Sequence, residues 1–131
     1  MNNQSGVIID TCIWATYFQS RSDPYTRLVS DLVQVNRASL VMPVLAEVVI
    51  GIRNSGQAHW ISSVLTGLRI VPVTDRDWLD AAHLGRQMMS RGKKLPLVDL
   101  VIATVSRRTQ FPVLTVDPHF EMIPGLALVR I

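Results

Sequence analysis

The chain reads as an α/β protein built on a parallel sheet with helices on both faces. Three observations predict this. The strand candidates Val7 to Ile9, Ser39 to Met42, Ile70 to Val73 and Pro112 to Val116 are short apolar runs without alternation, as expected of strands buried on both faces. Helical periodicities fill the intervals between them. At 131 residues the chain suits one domain, residues 1–131, with a core that needs no disulfide.

Taken in order, Val7-Ile8-Ile9 is a β-branched strand that ends in the turn Asp10-Thr11, and a short helix follows over Trp14 to Phe18. Asp23-Pro24 supplies an N-cap and a first-turn proline for a helix with Tyr25, Leu28, Val29 and Leu32 on one side. After the polar break Asn36-Arg37, Ser39 to Met42 is the second strand. Pro43 opens a helix to about Arg53, which Asn54-Ser55-Gly56 ends. A helix over Gln57 to Leu68 leads to the third strand, whose Pro72 suits a sheet edge. Thr74 to Asp77 forms a capping box for a long helix through Met89, with Trp78, Ala81, Ala82, Gly85, Met88 and Met89 as its apolar stripe. Arg91 to Lys94 is an exposed break, Pro96 to Arg108 a helix, and Pro112 to Val116 a strand ending at Asp117. The turn Pro118 to Pro124 precedes a last strand over Leu126 to Val129. No repeat, low-complexity tract or linker interrupts this series.

The composition excludes several classes. No apolar stretch is long enough to span a membrane. Met1 to Ser5 lacks the basic-then-apolar layout of a signal peptide. The single cysteine, Cys12, has no internal partner and suits a reducing cytoplasm, where the chain is expected to reside. The net charge is +3, and every cation except Lys93 and Lys94 is an arginine, the residue suited to bidentate phosphate contacts.

Six of the ten acids have local explanations. Asp23, Asp75 and Asp77 cap or begin helices, and Asp31, Asp80 and Glu121 sit at solvated positions. Asp10, Glu47, Asp99 and Asp117 stand instead in apolar sequence, where an ionised carboxylate is costly without a partner. The helical neighbours of Asp99, at Leu95, Pro96, Ile102 and Ala103, offer no cation. Topology brings the four together. Asp10 and Asp117 end strands, Glu47 begins the helix that leaves the second strand, and Asp99 begins the helix that leads into the strand at Pro112. All four therefore face the carboxyl edge of the sheet, where ligands of such folds bind.

Such a cluster repels itself, so some of its pKa values should rise unless a cation joins it. Oxygen donors suit Mg²⁺ or Mn²⁺, and one Cys with three scattered histidines (His59, His83, His119) does not suit zinc. A carboxylate-held Mg²⁺ or Mn²⁺ near arginines is suited to phosphodiester hydrolysis. Thr11 and Thr115 are placed to support the acids or contact phosphate. Arg91, Lys93 and Lys94 precede the Asp99 helix and are candidates to flank the acidic mouth and hold phosphates of a nucleic-acid partner, or simply a solvated loop. Each acid also has a plain reading, as a turn acceptor or an ion-pair partner. Four converging by accident is the weaker explanation.

Asp10-Thr11 after the first strand, Glu47 with Gly51 four residues on, Asp99-x-x-Ile102-Ala103, and Thr115-x-Asp117-x-x-Phe120 occur here in order. In this the chain resembles the PIN-domain ribonucleases, and within them the VapC-like toxins of bacterial and archaeal toxin–antitoxin pairs. The resemblance runs from Val7 to Val129. It implies a PIN-like three-layer domain with a parallel sheet of about five strands in the order 3-2-1-4-5. It also implies Mg²⁺- or Mn²⁺-dependent endoribonuclease activity on RNA, a homodimer, and inhibition by a cognate antitoxin protein. Asp10, Glu47, Asp99 and Asp117 match the family's metal-binding acids and Thr115 its hydroxyl position. Three positions depart from the pattern: Cys12 replaces the usual Asn or Ser, Ser106 the usual Ala, and His119 a further acid, which leaves the number of ions open.

Other readings are kept beside this one. A phosphorelay or phosphatase domain wants paired acids at the first strand or Asp-x-Asp, and Asp10-Thr11-Cys12 has neither. A non-catalytic RNA- or antitoxin-binding dimer is the remaining alternative. Trp14, Tyr17 and Phe18 form either core or a partner surface. Cys12 is either an inert buried thiol or a redox-sensitive one, and Arg107-Arg108 reads as a favourable helix-end charge.

Overall fold

The structure, a computed structural model, describes residues 5–19 and 22–130. Residues 1–4, on which most of the leader expectation rests, lie outside them. The elements are β1 (Val7–Ile9), α1 (Thr11–Phe18), α2 (Pro24–Gln34), β2 (Ala38–Leu40), α3 (Met42–Ile50), α4 (Ser55–Thr66), β3 (Arg69–Ile70), α5 (Asp75–Ser90), α6 (Leu97–Thr109) and β4 (Val113–Leu114), followed by a 3₁₀ turn over Pro118–Met122.

The strands pair in parallel in the order β3-β2-β1-β4. The fifth strand expected at Leu126 to Val129 is reduced to one parallel bridge between Leu128 and Val113, held by two backbone hydrogen bonds. It lies beside β4, so the expected order is kept with four strands rather than five.

Right-handed crossovers assign the helices to faces. The steps β1-to-β2 and β2-to-β3 move one way across the sheet, and the step β3-to-β4 moves back the other way. α1 to α4 therefore cover one face and α5 and α6 the other, matching the two groups in which they pack. Between the helical layers lie Ile8, Ile9, Leu40, Val113 and Leu114, all fully buried.

Element ends differ from expectation for local reasons. α1 starts at Thr11 rather than Trp14, because the Asp10 carboxylate accepts the Thr11 N–H and caps it. β2 stops at Leu40 because Pro43, in the first turn of α3, draws Met42 into the helix. β3 continues only as the bond from Val71 N–H to the Leu40 carbonyl, since Pro72 has no N–H with which to extend the ladder. The Thr74–Asp77 capping box forms as expected.

The stripe on α5 is rotated from the expected one. Trp78 is 41% exposed and Met89 61%, whereas Asp77, Ala81, Leu84 and Met88 are buried. Asp77 faces inward because Arg108, at the end of α6, donates two hydrogen bonds of 2.8 Å to its carboxylate. Asp77 keeps its capping role and adds this pairing, whereas Arg108 is more than the favourable helix-end charge expected. Among the described residues, no helix is long and apolar enough to cross a membrane.

Candidate active site

Strand register builds the site. Ile9 pairs with Leu114, so the next residues, Asp10 and Thr115, emerge side by side at the carboxyl edge. The Asp10 N–H donates to the Leu114 carbonyl, and Thr115 Oγ1 donates to Asp10 Oδ2 at 2.7 Å. The Asp117 N–H donates in turn to Thr115 Oγ1 at 2.9 Å. On the other side, Thr11 donates its N–H to Asp10 Oδ1 and its hydroxyl to Glu47 Oε1, both at 2.7 Å.

Asp117-Pro118-His119 then folds as an Asx turn, with the His119 N–H donating to Asp117 Oδ1 at 2.9 Å. The turn swings the imidazole between two acids. Its Nδ1 lies 3.0 Å from Asp99 Oδ2 and 3.2 Å from Asp117 Oδ1. A continuous hydrogen-bonded series thus runs from Glu47 through Thr11, Asp10, Thr115, Asp117 and His119 to Asp99. All four acids singled out from the sequence lie on it.

Their environments differ. Asp99 is 7% exposed, and burial pushes its carboxyl up to about 6. The His119 hydrogen bond opposes that rise, while the charges of Asp10 and Asp117 add to it. Burial also raises Asp10, against the pull of its Thr115, Thr11 and Cys12 donors, with Asp117 repelling it. Glu47 is exposed at the edge of a cleft of about 550 Å³ that Phe18 and Trp60 also line.

The donor set fits a divalent cation. Asp99, Asp117 and His119 each bring a ligand atom into a group within 4.8 Å of one another. Asp10 and Glu47 are not members of that compact group and adjoin it through the two threonines. His119 is the residue that sequence reasoning noted only as a departure. The Asp-Pro-x signature of a tight turn after Asp117 is the signal that could have placed it.

Cys12 sits half-buried with its thiol 3.4 Å from Asp10 Oδ2. Burial pushes that thiol up, which suits an unreactive group. Trp14 is core, stacked with Phe18, and Phe18 meets the exposed Trp60 edge-on. Arg91, Lys93 and Lys94 are exposed in the loop that enters α6 three to six residues before its start, at the end that carries Asp99.

A profile described as "PIN domain" matches residues 7–126. No curated protein matches the chain. Among solved structures, DNA-bound VapBC2 from Rickettsia felis shares 21% identity at a TM-score of 0.79, over 94% of this chain and 96% of that one. DNA-bound VapBC from Salmonella typhimurium shares 16% identity at 0.77, over 96% and 98%. VapC20 from Mycobacterium tuberculosis, described as a toxin cleaving the sarcin–ricin loop, shares 18% identity at 0.71, over 96% and 100%. These likenesses concern the fold, and the profile spans nearly all of the chain. The chain belongs to the PIN domain family.

Proposed function

We propose that this protein is a metal-dependent endoribonuclease that hydrolyses RNA phosphodiester bonds, as the toxin of a type II toxin–antitoxin pair. The observation that carries the reading is Asp99, a buried carboxylate set against Asp10 and Asp117 and hydrogen-bonded to the His119 imidazole. A pocket that holds three acids at this cost suits a cation it is built to receive.

Asp99, Asp117 and His119 would hold Mg²⁺ or Mn²⁺, with Asp10 and Glu47 beside it. The ion would lower the pKa of a bound water and polarise the phosphoryl oxygen. Thr115 holds Asp10 in orientation through its hydroxyl, and Thr11 does the same for Glu47. Arg91, Lys93 and Lys94 would meet RNA phosphates at the rim. The antitoxin would dock on the face of Phe18 and Trp60, next to Glu47. Among the solved structures of similar fold, one is described as a toxin–antitoxin complex and another as a member of a family of toxin–antitoxin systems, which supports this pairing. A homodimer acting in the cytoplasm, as one domain per chain, completes the reading.

The test is RNA cleavage by purified protein with Mg²⁺ or Mn²⁺. Cleavage that EDTA abolishes and that Asp99→Asn lacks supports the proposal. A clean Asp99→Asn preparation that cuts as well as the parent would remove Asp99 from the mechanism. The second reading, a non-catalytic RNA- or antitoxin-binding dimer, draws on Cys12 and His119, the polar positions where this site differs from the usual pattern. RNA binding without cleavage under any divalent ion would select it.

A further inference from the structure

We infer that His119 is a metal ligand through Nδ1 and makes this site select Mn²⁺ over Mg²⁺. This rests on the metal reading above and goes beyond it by assigning the site's ion preference to one residue.

The geometry comes first. Adjacent ligands of an octahedral ion with bonds of about 2.1 Å lie roughly 3.0 Å apart. His119 Nδ1 lies 3.0 Å from Asp99 Oδ2 and 3.2 Å from Asp117 Oδ1. These separations equal two edges of a coordination octahedron, and the three ligand atoms lie within 4.8 Å of one another, a spread that one ion can draw together. The backbone that carries the imidazole is held in place. The backbone N–H of His119 is bonded to Asp117 in the turn, and Phe120, the next residue, is fully buried. Without an ion, Nδ1 shares a proton with Asp99; once that proton is released or moved to Nε2, the neutral imidazole turns its Nδ1 lone pair toward the same point.

The chemistry follows from the donor type. Mg²⁺ takes oxygen ligands and keeps its waters, whereas imidazole suits transition ions. A nitrogen in place of a third carboxylate removes one negative charge that would favour Mg²⁺ and adds a donor that Mg²⁺ uses poorly. The other histidines, His59 on α4 and His83 on α5, are exposed and outside the group.

The experiment measures binding rather than turnover. Mn²⁺ and Mg²⁺ affinities are determined by calorimetry for the parent and for His119→Asp, which preserves the backbone donor of the turn. Pulsed electron paramagnetic resonance of bound Mn²⁺ then reads nitrogen coupling in the parent, with and without ¹⁵N-labelled histidine. The expected result is a directly coupled nitrogen that changes with the ¹⁵N label and disappears in His119→Asp. The preference for Mn²⁺ over Mg²⁺ should also fall at least about tenfold in the variant, the lower end of what loss of a supporting partner costs. Tight Mn²⁺ binding without histidine coupling would overturn the ligand assignment and leave the metal site standing. An unchanged preference in His119→Asp would overturn the selectivity. Failure of the folded parent to bind either ion would overturn the metal reading itself, and this inference with it.

Discussion

At the scale of single residues, the site is defined by how differently its acids are solvated. Asp99 is held by burial at about 6 against an ordinary 3.8. A carboxyl that the fold keeps protonated loses stability as pH rises from 3.8 to about 6, because over that range the unfolded chain releases its proton and the folded one does not. Above 6 the penalty is constant, on the order of 3 kcal/mol. Metal-free Asp99→Asn should therefore be more stable than the parent at pH 7.5, by up to about 3 kcal/mol, with the gap closing near pH 4. Urea melts at the two pH values check this, and an Asn variant weaker than the parent at pH 7.5 would contradict it. Thr115 has the opposite character. Its hydroxyl holds Asp10 and receives the Asp117 N–H. Thr115→Val should lower metal affinity about 10- to 100-fold with little change in fold, as calorimetry and circular dichroism would show.

At the scale of elements, α5 and α6 are joined by more than apolar contact. Gly85 leaves no Cβ where Leu100 Cδ1 would be only 2.9 Å away, so the two helices approach closely. Arg108 crosses from the end of α6 to Asp77 and also donates to the Pro72 carbonyl. Burial would raise Asp77, but the Arg108 guanidinium and the Thr74 donors outweigh it and hold the carboxyl below its usual value. That stability is present above the ordinary carboxylate pKa and is lost as pH falls through the lowered one. Arg108→Ala should cost about 2–3 kcal/mol at neutral pH, less than a fully buried pair because Arg108 is 42% exposed. The exposed Arg76–Asp80 pair should contribute under about 1 kcal/mol, and denaturant midpoints of Arg108→Ala and Arg76→Ala would rank them. The rotated α5 stripe has the same cause. Periodicity alone favoured Trp78 and Met89, and an inward carboxylate with a partner 31 residues away turned the helix otherwise.

At the scale of the whole molecule, the sheet gathers residues that lie up to 107 positions apart into one edge. Asp10 follows β1, Glu47 stands in the last turn of α3 rather than at the beginning expected of it, Asp99 in the first turn of α6, and Asp117 in the turn after β4. Asp10, Asp99 and Asp117 repel one another across these elements, and a bound ion would relieve that repulsion. Mn²⁺ at a hundredfold excess over its Kd should stabilise the folded chain by about 2.7 kcal/mol. Thermal melts should show that gain in the parent, its reversal by EDTA, and its loss in Asp99→Asn. A melting temperature indifferent to Mn²⁺ would count against a metal-holding pocket.

Much of this was legible in the chain itself. Contiguous apolar strands, Asp23-Pro24 and the Thr74–Asp77 box are local signals, and local hydrogen bonding decides them. The order of the four acids along alternating strands and helices was enough to send them to one edge, since all strands of a parallel sheet end at the same edge. Tertiary structure alone decided the rest. It selected Asp77 and Arg108 as partners, reduced the last strand to one bridge, and set the imidazole of His119 between Asp99 and Asp117. Those outcomes depend on which side chains meet after the sheet is assembled, and spacing along the chain carries no record of distance across it.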